Sequence, residues 1–390
     1  MSARTGHSRK VLCLVCALFS LGCQAKAPLR NASTLHNKSH TIDTPTTVVS
    51  AAGVTDVEAL LRRAEFDLEA KRYQAAADSF ALVSETAQLK QERLRGLFGL
   101  GTALDLLGEP QKALNVYDRY VKEAEPGQKR DEIAVRLVRL FTYFEEYQKA
   151  AAAAGLISTE QMPLAKVAIF ASIALFSLLE DRQADAELAI GRGRSIIEAE
   201  QFDRLDVLPR DVAALYFALG ELRRRKGEAI VFDPIPENFS GALETRCQWI
   251  LDAQSAYSQA MRAADAHWSA MAGVAVGALY QKLHDELVTM PRPKAADNDK
   301  RRELFDGAMR LRYSILLKKA AAMLRATLVL REKDQASSAW TARAERALAD
   351  IERAQAAEEA ALAALPYTKE QLQQGLDDLA ARASAPSSQN

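Results

Sequence analysis

Residues 95–117, RGLFGLGTALDLLGEPQKALNVY, decide how the rest of the chain is read. Leu97, Leu100 and Leu104 recur at helical intervals, Gly108 and Pro110 interrupt them, and a second run opens with Ala113 and Tyr117. Small residues at Gly101 and Ala113 let two helices approach closely, and Tyr117 fills the space left beside them. The pattern recurs on both sides. KRYQAAADSF (71–80), GEPQKALNVY (108–117) and EEYQKAAAAA (145–154) place Ala76, Ala113 and Ala150 37 residues apart, with Tyr73, Pro110 and Tyr147 in the same register. A further helical segment precedes each: EALLRRAEFDLEA, RGLFGLGTALDLLG and IAVRLVRLFTYFE.

Downstream the pattern loosens. FASIALFSLLEDRQADAELAI (170–190) fits around Ala186, and YFALGELRRRKGE (216–228) supplies Leu219, Gly220 and Gly227. The insertion AIVFDPIPENFSG (229–241) intervenes before Ala253, Tyr257 and Ala260 resume the spacing. HWSAMAGVAVGALYQKL, from His267, opens another repeat with Trp268 in the large-residue place. Two long helices are expected at 299–332, with a break, and at 336–364, and Pro366 ends the array. Alanine, leucine, arginine and glutamate dominate from residue 55, so the expected fold class is all-α. A generic bundle of long helices is the alternative to a repeat array.

On these residues the chain resembles the tetratricopeptide repeat (TPR), a helix–turn–helix motif of about 34 residues. The resemblance covers most of 55–285. It implies a TPR-like helical-hairpin solenoid, a right-handed superhelix, with extra C-terminal helices. The chain then divides into TPR-like repeats at 55–228, a degenerate TPR-like and long-helix region at 229–365, and a short helix with a disordered tail at 366–390. In such an array the first helices line a concave groove. The family's groove positions fall on Arg95, Phe98, Thr102 and Asp105, then on Glu132, Val135, Arg139 and Thr142, then on Phe217, Glu221 and Arg224. A mixed lining with exposed aromatics suits a peptide or partner helix better than a small molecule; taken singly, each of these is equally an ordinary surface residue. A narrower resemblance spans 230–345. FDPIPENF, the Ala253–Tyr257–Ala260 spacing, Trp268 with Met271-Ala272, Gly277 with Leu279-Tyr280, and MPRP (290–293) are similar to TPR lipoproteins of adventurous gliding motility.

The N-terminal residues set the expected location. Arg4, Arg9 and Lys10 precede the apolar run VLCLVCALFSLG, Val11 to Gly22, which is too short to span a bilayer. Ser20-Leu21-Gly22-Cys23 resembles a bacterial lipobox with its leucine one place late. The reading is a lipoprotein signal peptide at 1–22, a lipidated Cys23, and a flexible tether at 23–54 rich in Ser, Thr, Asn, Ala and Pro. Gln24 lacks the aspartate of inner-membrane retention, which by resemblance favours an outer-membrane anchor facing the periplasm. A plain signal peptide with a chance cysteine is the alternative. Cys13 and Cys16 leave with the signal, so only Cys247 remains in the body and no intramolecular disulfide is possible there. LAKVAIFASIALFSLL (164–179) is interrupted by Lys166 and reads as a buried helix.

Fifty-one basic residues balance 51 acidic ones, and no basic field argues for nucleic acid. His36 and His40 fall in the tether. His267 and His284 are 17 apart, which fits no i, i+4 ligand pair, and no set completes a metal site. GRG (191–193) lacks the strand and Lys-Ser/Thr of a phosphate loop, and no G-x-S-x-G occurs. RRRK (223–226) is the sharpest charge cluster. It reads more readily as a solvated helix end before Gly227 than as a docking patch for acidic partners or headgroups. The expectation is a non-enzymatic adaptor without cofactor, metal or small-molecule substrate. Its partners are other envelope proteins, met through the TPR groove, and the membrane, met through the N-terminal lipid. The motility machinery is the specific version. A lipoprotein factor for outer-membrane protein insertion, or for polysaccharide or protein secretion, is the alternative. An enzyme of cell-wall metabolism is disfavoured by the missing catalytic set.

Overall fold

The computed structural model describes residues 56–334 and 339–384. The expected signal peptide, Cys23, the tether with His36 and His40, and the end of the tail lie outside the described residues. What is described is all-helical, with fourteen α-helices and no strand.

The first four helices are α1 (Val57–Glu69), α2 (Tyr73–Thr86), α3 (Lys90–Leu107) and α4 (Pro110–Glu123). Next come α5 (Gln128–Tyr143), α6 (Tyr147–Ala154), α7 (Pro163–Leu179), α8 (Gln183–Ala199) and α9 (Arg210–Glu228). The last five are α10 (Phe239–Met261), α11 (Ala266–Val288), α12 (Asp299–Asp334), α13 (Ala339–Ala363) and α14 (Lys369–Ser384). The break expected within 299–332 is absent: α12 runs unbroken for 36 residues. No proline or glycine pair interrupts it, and Ala308, Leu316, Leu317, Ala320, Ala321 and Leu324 keep one side buried along its length.

The turns between helices recur with the sequence. Lys71, Gly108, Glu145 and Asp181 all take left-handed backbone, with φ of 60°, 75°, 62° and 56°. Their spacings along the chain are 37, 37 and 36 residues. Each closes with the same pair of hydrogen bonds. The amides of Lys71 and Arg72 donate to Leu68 and Asp67, and those of Gly108 and Glu109 to Asp105 and Leu104. Those of Glu145 and Glu146 donate to Thr142 and Phe141, and those of Asp181 and Arg182 to Leu178 and Ser177. This double bond satisfies the last carbonyls of one helix while turning the chain into the next. Five residues after each turn stand Ala76, Ala113, Ala150 and Ala186, all fully buried.

The chain forms two compact units, one ending at Arg119 and the other beginning at Tyr120. In the first, Leu61, Ala64, Ala76, Ala77, Phe80, Val83 and Ala103 form the core. Helix α3 is glycine-rich where its neighbours approach. The ring of Phe80 covers Gly99, Val83 and Ser84 abut Gly96, and Tyr117 covers Gly101. Contacts that run backwards along α3 as they run forwards along α2 make those two helices antiparallel.

In the second unit, α7 packs on α8 and α9, and α9 packs on α10. α11 and α12 are antiparallel, with Gly273 against Thr327 and Gly277 against Leu324. α13 and α14 both pack on α12. The apolar run at 164–179 is the buried α7, with Ala165, Val167, Ala168, Ala171, Ala174, Leu175 and Leu178 inside. Among the described residues no helix is long and apolar enough to cross a membrane. The insertion after α9 folds back on itself: Phe232 is buried and meets Phe239 edge-on, with ring centroids 5.5 Å apart.

Candidate functional site

The second unit contains a cavity of about 740 Å³ open to solvent, and its walls are helical faces. From α9 come Phe217, Glu221, Arg224, Arg225 and Glu228, which share one face because they are spaced at four, seven, eight and eleven residues. α11 adds Met271, Val274, Ala275, Ala278, Gln281, Lys282 and Asp285 at the same kind of spacing. Leu175, Leu178 and Leu179 come from the end of α7. Glu145, Tyr147, Glu286, Thr289 and Trp340 complete the lining. The lining is partly aliphatic and partly charged.

The charged lining residues form an ion-pair network. Arg224 Nη2 reaches Glu221 at 2.7 Å and its Nη1 reaches Glu228 at 2.8 Å. Lys282 Nζ also reaches Glu228, at 2.8 Å. Behind them the buried Arg246 donates to Glu286 at 3.0 Å, leaving its Nε and Nη1 without a hydrogen-bond partner. Burial alone would disfavour the Arg224 charge, but Glu221 and Glu228 outweigh it and push its pKa up. Burial likewise opposes the Glu228 charge, and hydrogen bonds from Lys282 and Arg224 hold its carboxyl below the ordinary value. For Glu286 burial prevails and the pKa is raised. The hydroxyl of Tyr257 donates to Glu221 at 2.5 Å, fixing that carboxylate from the α10 side.

The groove positions read from the sequence have the following surroundings, those of Arg95 to Asp105 in the first unit and the rest in the second. Arg95 binds Glu65 at 2.8 Å and Glu58 at 3.2 Å, tying α3 to α1. Phe98 is half-buried, Thr102 donates to the Phe98 carbonyl at 2.9 Å, and Asp105 accepts from Tyr117 at 2.7 Å. Glu132 is exposed and pairs with Arg136 one turn on, at 3.1 Å. Arg139 grips Asp211 through two bonds of 3.0 and 2.7 Å. Val135 and Thr142 are buried and line no surface. Phe217, Glu221 and Arg224 share the cavity wall. Phe217 is not an exposed aromatic: it is 4 % exposed, with Tyr257 and Trp268 rings 5.5 and 5.8 Å away.

RRRK is not a solvated helix end either. Arg223 donates to the Asp252 carbonyl at 2.8 Å, Arg224 joins the network above, and Arg225 reaches Asp181 at 3.3 Å. Lys226 pairs with Glu187 and lies over the Trp249 ring. Arg223, Arg225 and Lys226 tie α9 to α10, to the turn between α7 and α8, and to α8, while Arg224 pairs along α9 itself, so the helix end is surrounded rather than free.

The α11 wall and Trp340 were not singled out from the sequence. The α11 stripe carries a signal: Met271, Val274, Ala275 and Ala278 follow helical spacing and pass into Lys282 and Asp285 at one end. Trp340 carries none, since its partner is 195 residues away. Among the described residues no group of three or more His, Cys, Asp or Glu side chains is placed to hold a metal. His267 and His284 are core residues: His267 stacks on Tyr143 with centroids 3.8 Å apart, and His284 Nδ1 meets Asp285 at 3.0 Å. The chain matches no protein-family model, and no curated protein matches it.

Proposed function

We propose that the chain is a TPR-like helical-hairpin adaptor that holds a partner protein in the groove walled by α7, α9 and α11. The reading extends to an outer-membrane lipoprotein, anchored through Cys23 and working by binding alone in a periplasmic envelope complex, with the gliding-motility machinery as its specific version. The observation that carries the binding reading is the cavity itself, lined by Leu175, Leu178, Met271 and Val274 together with charged side chains. Such a mixed surface suits an amphipathic helix, whose apolar side chains at i, i+3, i+4 and i+7 meet the aliphatic residues while its flanks meet the charged ones. The recurrence of one turn at Lys71, Gly108, Glu145 and Asp181 supports the repeat reading.

The test is a crosslinked recovery of partners from cells expressing tagged wild type, Cys23→Ser and Val274→Glu. Loss of the same envelope protein from both variants supports an anchored adaptor that binds through this groove. Equal recovery by wild type and Val274→Glu overturns the groove, and equal recovery by Cys23→Ser overturns the anchor. Deleting the protein separates the roles: lost movement with normal outer-membrane composition fits motility, and depleted outer-membrane barrels fit an assembly factor.

A further inference from the structure

Helix α13 buries a stripe with the spacing of a coiled-coil seam. Thr341, Ala344, Leu348, Ile351, Gln355 and Glu358 follow one another in steps of three and four, and each is buried or half-buried. The helix packs on both α11 and α12. Eleven of its 25 residues are alanine, and of its buried side chains Ile351 alone is large and apolar. A stripe of small residues at a seven-residue repeat reads nearly the same after a slide of one heptad, so its apolar part specifies position weakly.

One position in the stripe breaks that equivalence. Glu358 is 8 % exposed, and its Oε1 accepts from Arg310 Nη1 on α12 at 2.7 Å. The buried His284 of α11 places Nε2 3.9 Å from the same oxygen. Three helices thus converge on one carboxylate. Slid by three or four residues, α13 would bring Gln355, Ala361, Ala354 or Leu362 to this place, and slid by seven it would bring Ile351. None of these is a carboxylate, and each slide carries Glu358 away from Arg310, which leaves a buried charge without its partner. Two further ion pairs of the helix join more exposed groups. Arg325 and Glu352, 2.6 Å apart, are 55 % and 46 % exposed, and Arg343 and Glu145 are 45 % and 35 % exposed. Exposed pairs of this kind hold weakly.

We propose that the junction of Glu358, Arg310 and His284 is a register lock, which fixes where α13 lies along α11 and α12. The apolar stripe supplies the attraction between the helices. The carboxylate costs stability in the seam and selects one alignment from several that packing alone leaves close in energy. The lock is independent of the adaptor reading and holds whatever the chain binds.

Two spin labels read the alignment, one at Val329 on α12 and one at Ala360 on α13, both exposed, in the full chain with its four cysteines replaced by alanine. Pulsed electron resonance on this parent should give one distance between the labels. Arg310→Met with Glu358→Leu and His284→Leu removes the junction. This triple variant should melt no lower than the parent, yet show a second distance displaced by about 5 Å for a slide of one turn or about 10 Å for one heptad. Arg325→Ala with Glu352→Ala should leave the single distance unchanged. Glu358→Gln keeps the side-chain volume and removes the charge, and should show the displaced distance as a minority component even if the triple variant fails to fold. A single unshifted distance in Glu358→Gln and in the folded triple variant overturns the proposal, because packing alone would then set the alignment. So does a second distance already present in the parent, or one produced by losing the Arg325–Glu352 pair.

Discussion

The ring of Tyr257 occupies the space in front of Gly220: a Cβ placed on that glycine would stand 2.5 Å from Tyr257 Cε1. Tyr117 covers Gly101 in the same manner, and each tyrosine hydroxyl is then held by a carboxylate on the glycine's own helix, Glu221 or Asp105. Gly220→Ala therefore forces a fully buried ring to move, and should destabilise by about 1–3 kcal/mol, as overpacking does. Gly191→Ala has nothing within 4 Å of the new methyl and should instead gain up to about 1 kcal/mol of helix propensity. Denaturant melts of the two variants, moving in opposite directions, check the contact; an unshifted Gly220→Ala would refute it.

The left-handed turns make a second prediction. Lys71 adopts a conformation that costs a side-chain-bearing residue energy, whereas Gly108 adopts its counterpart freely. Lys71→Gly should stabilise by about 0.5–1 kcal/mol and Gly108→Ala should destabilise by a similar amount. Thermal melting of both variants reads the sign directly.

Asp131 is fully buried at the start of α5, and one oxygen accepts from the Ser158 and Thr159 amides at 2.9 and 2.7 Å. Burial works against its charge, but the bonds from Thr159 and Ser158 outweigh it and hold the carboxyl below the ordinary carboxylate value. A depressed pKa contributes stability above the unfolded value of about 3.9 and loses it as pH falls through the folded value. Asp131→Asn should cost about 1–3 kcal/mol at neutral pH, and its melting point should fall less steeply than wild type on acidification below pH about 4.

His267 gives a higher window. Burial against Tyr143 pushes its pKa down to about 4; Asp265, which caps its helix, opposes the shift, and Arg343 adds to it. Between about pH 6.5 and 4 the unfolded chain takes up a proton that the folded chain refuses. Stability should fall as pH falls through that window, by roughly 3 kcal/mol at full effect, and this term should flatten below it. His267→Gln should remove the slope between pH 6.5 and 4 in a series of denaturant melts; a slope identical to wild type would place the proton elsewhere.

The all-helical fold and the spacing of the buried alanines were legible in the sequence because both are local properties. Ala76, Ala113, Ala150 and Ala186 are small where neighbouring helices meet, and a period shows on the page whatever surrounds it. Burial of particular side chains was less legible. Phe217 and Val135 read as groove positions by register, but the helix facing each of them determines what is covered. RRRK looked solvated because the sequence does not place Asp181, Glu187 and Asp252 around it. Glu145 and Trp340 were invisible as a pair, since no pattern links residues so far apart.

The shared turn geometry bears on how the chain changes length. Lys71 and Gly108 leave one helix and enter the next with the same φ region and the same two backbone bonds. Removing residues 72–108 would join Lys71 to Glu109, and the junction would keep both its conformation and its acceptors on α1. The segment is thus a cassette with matching ends, and the 37-residue step is the increment by which such a polypeptide can be lengthened or shortened without inventing a new connection.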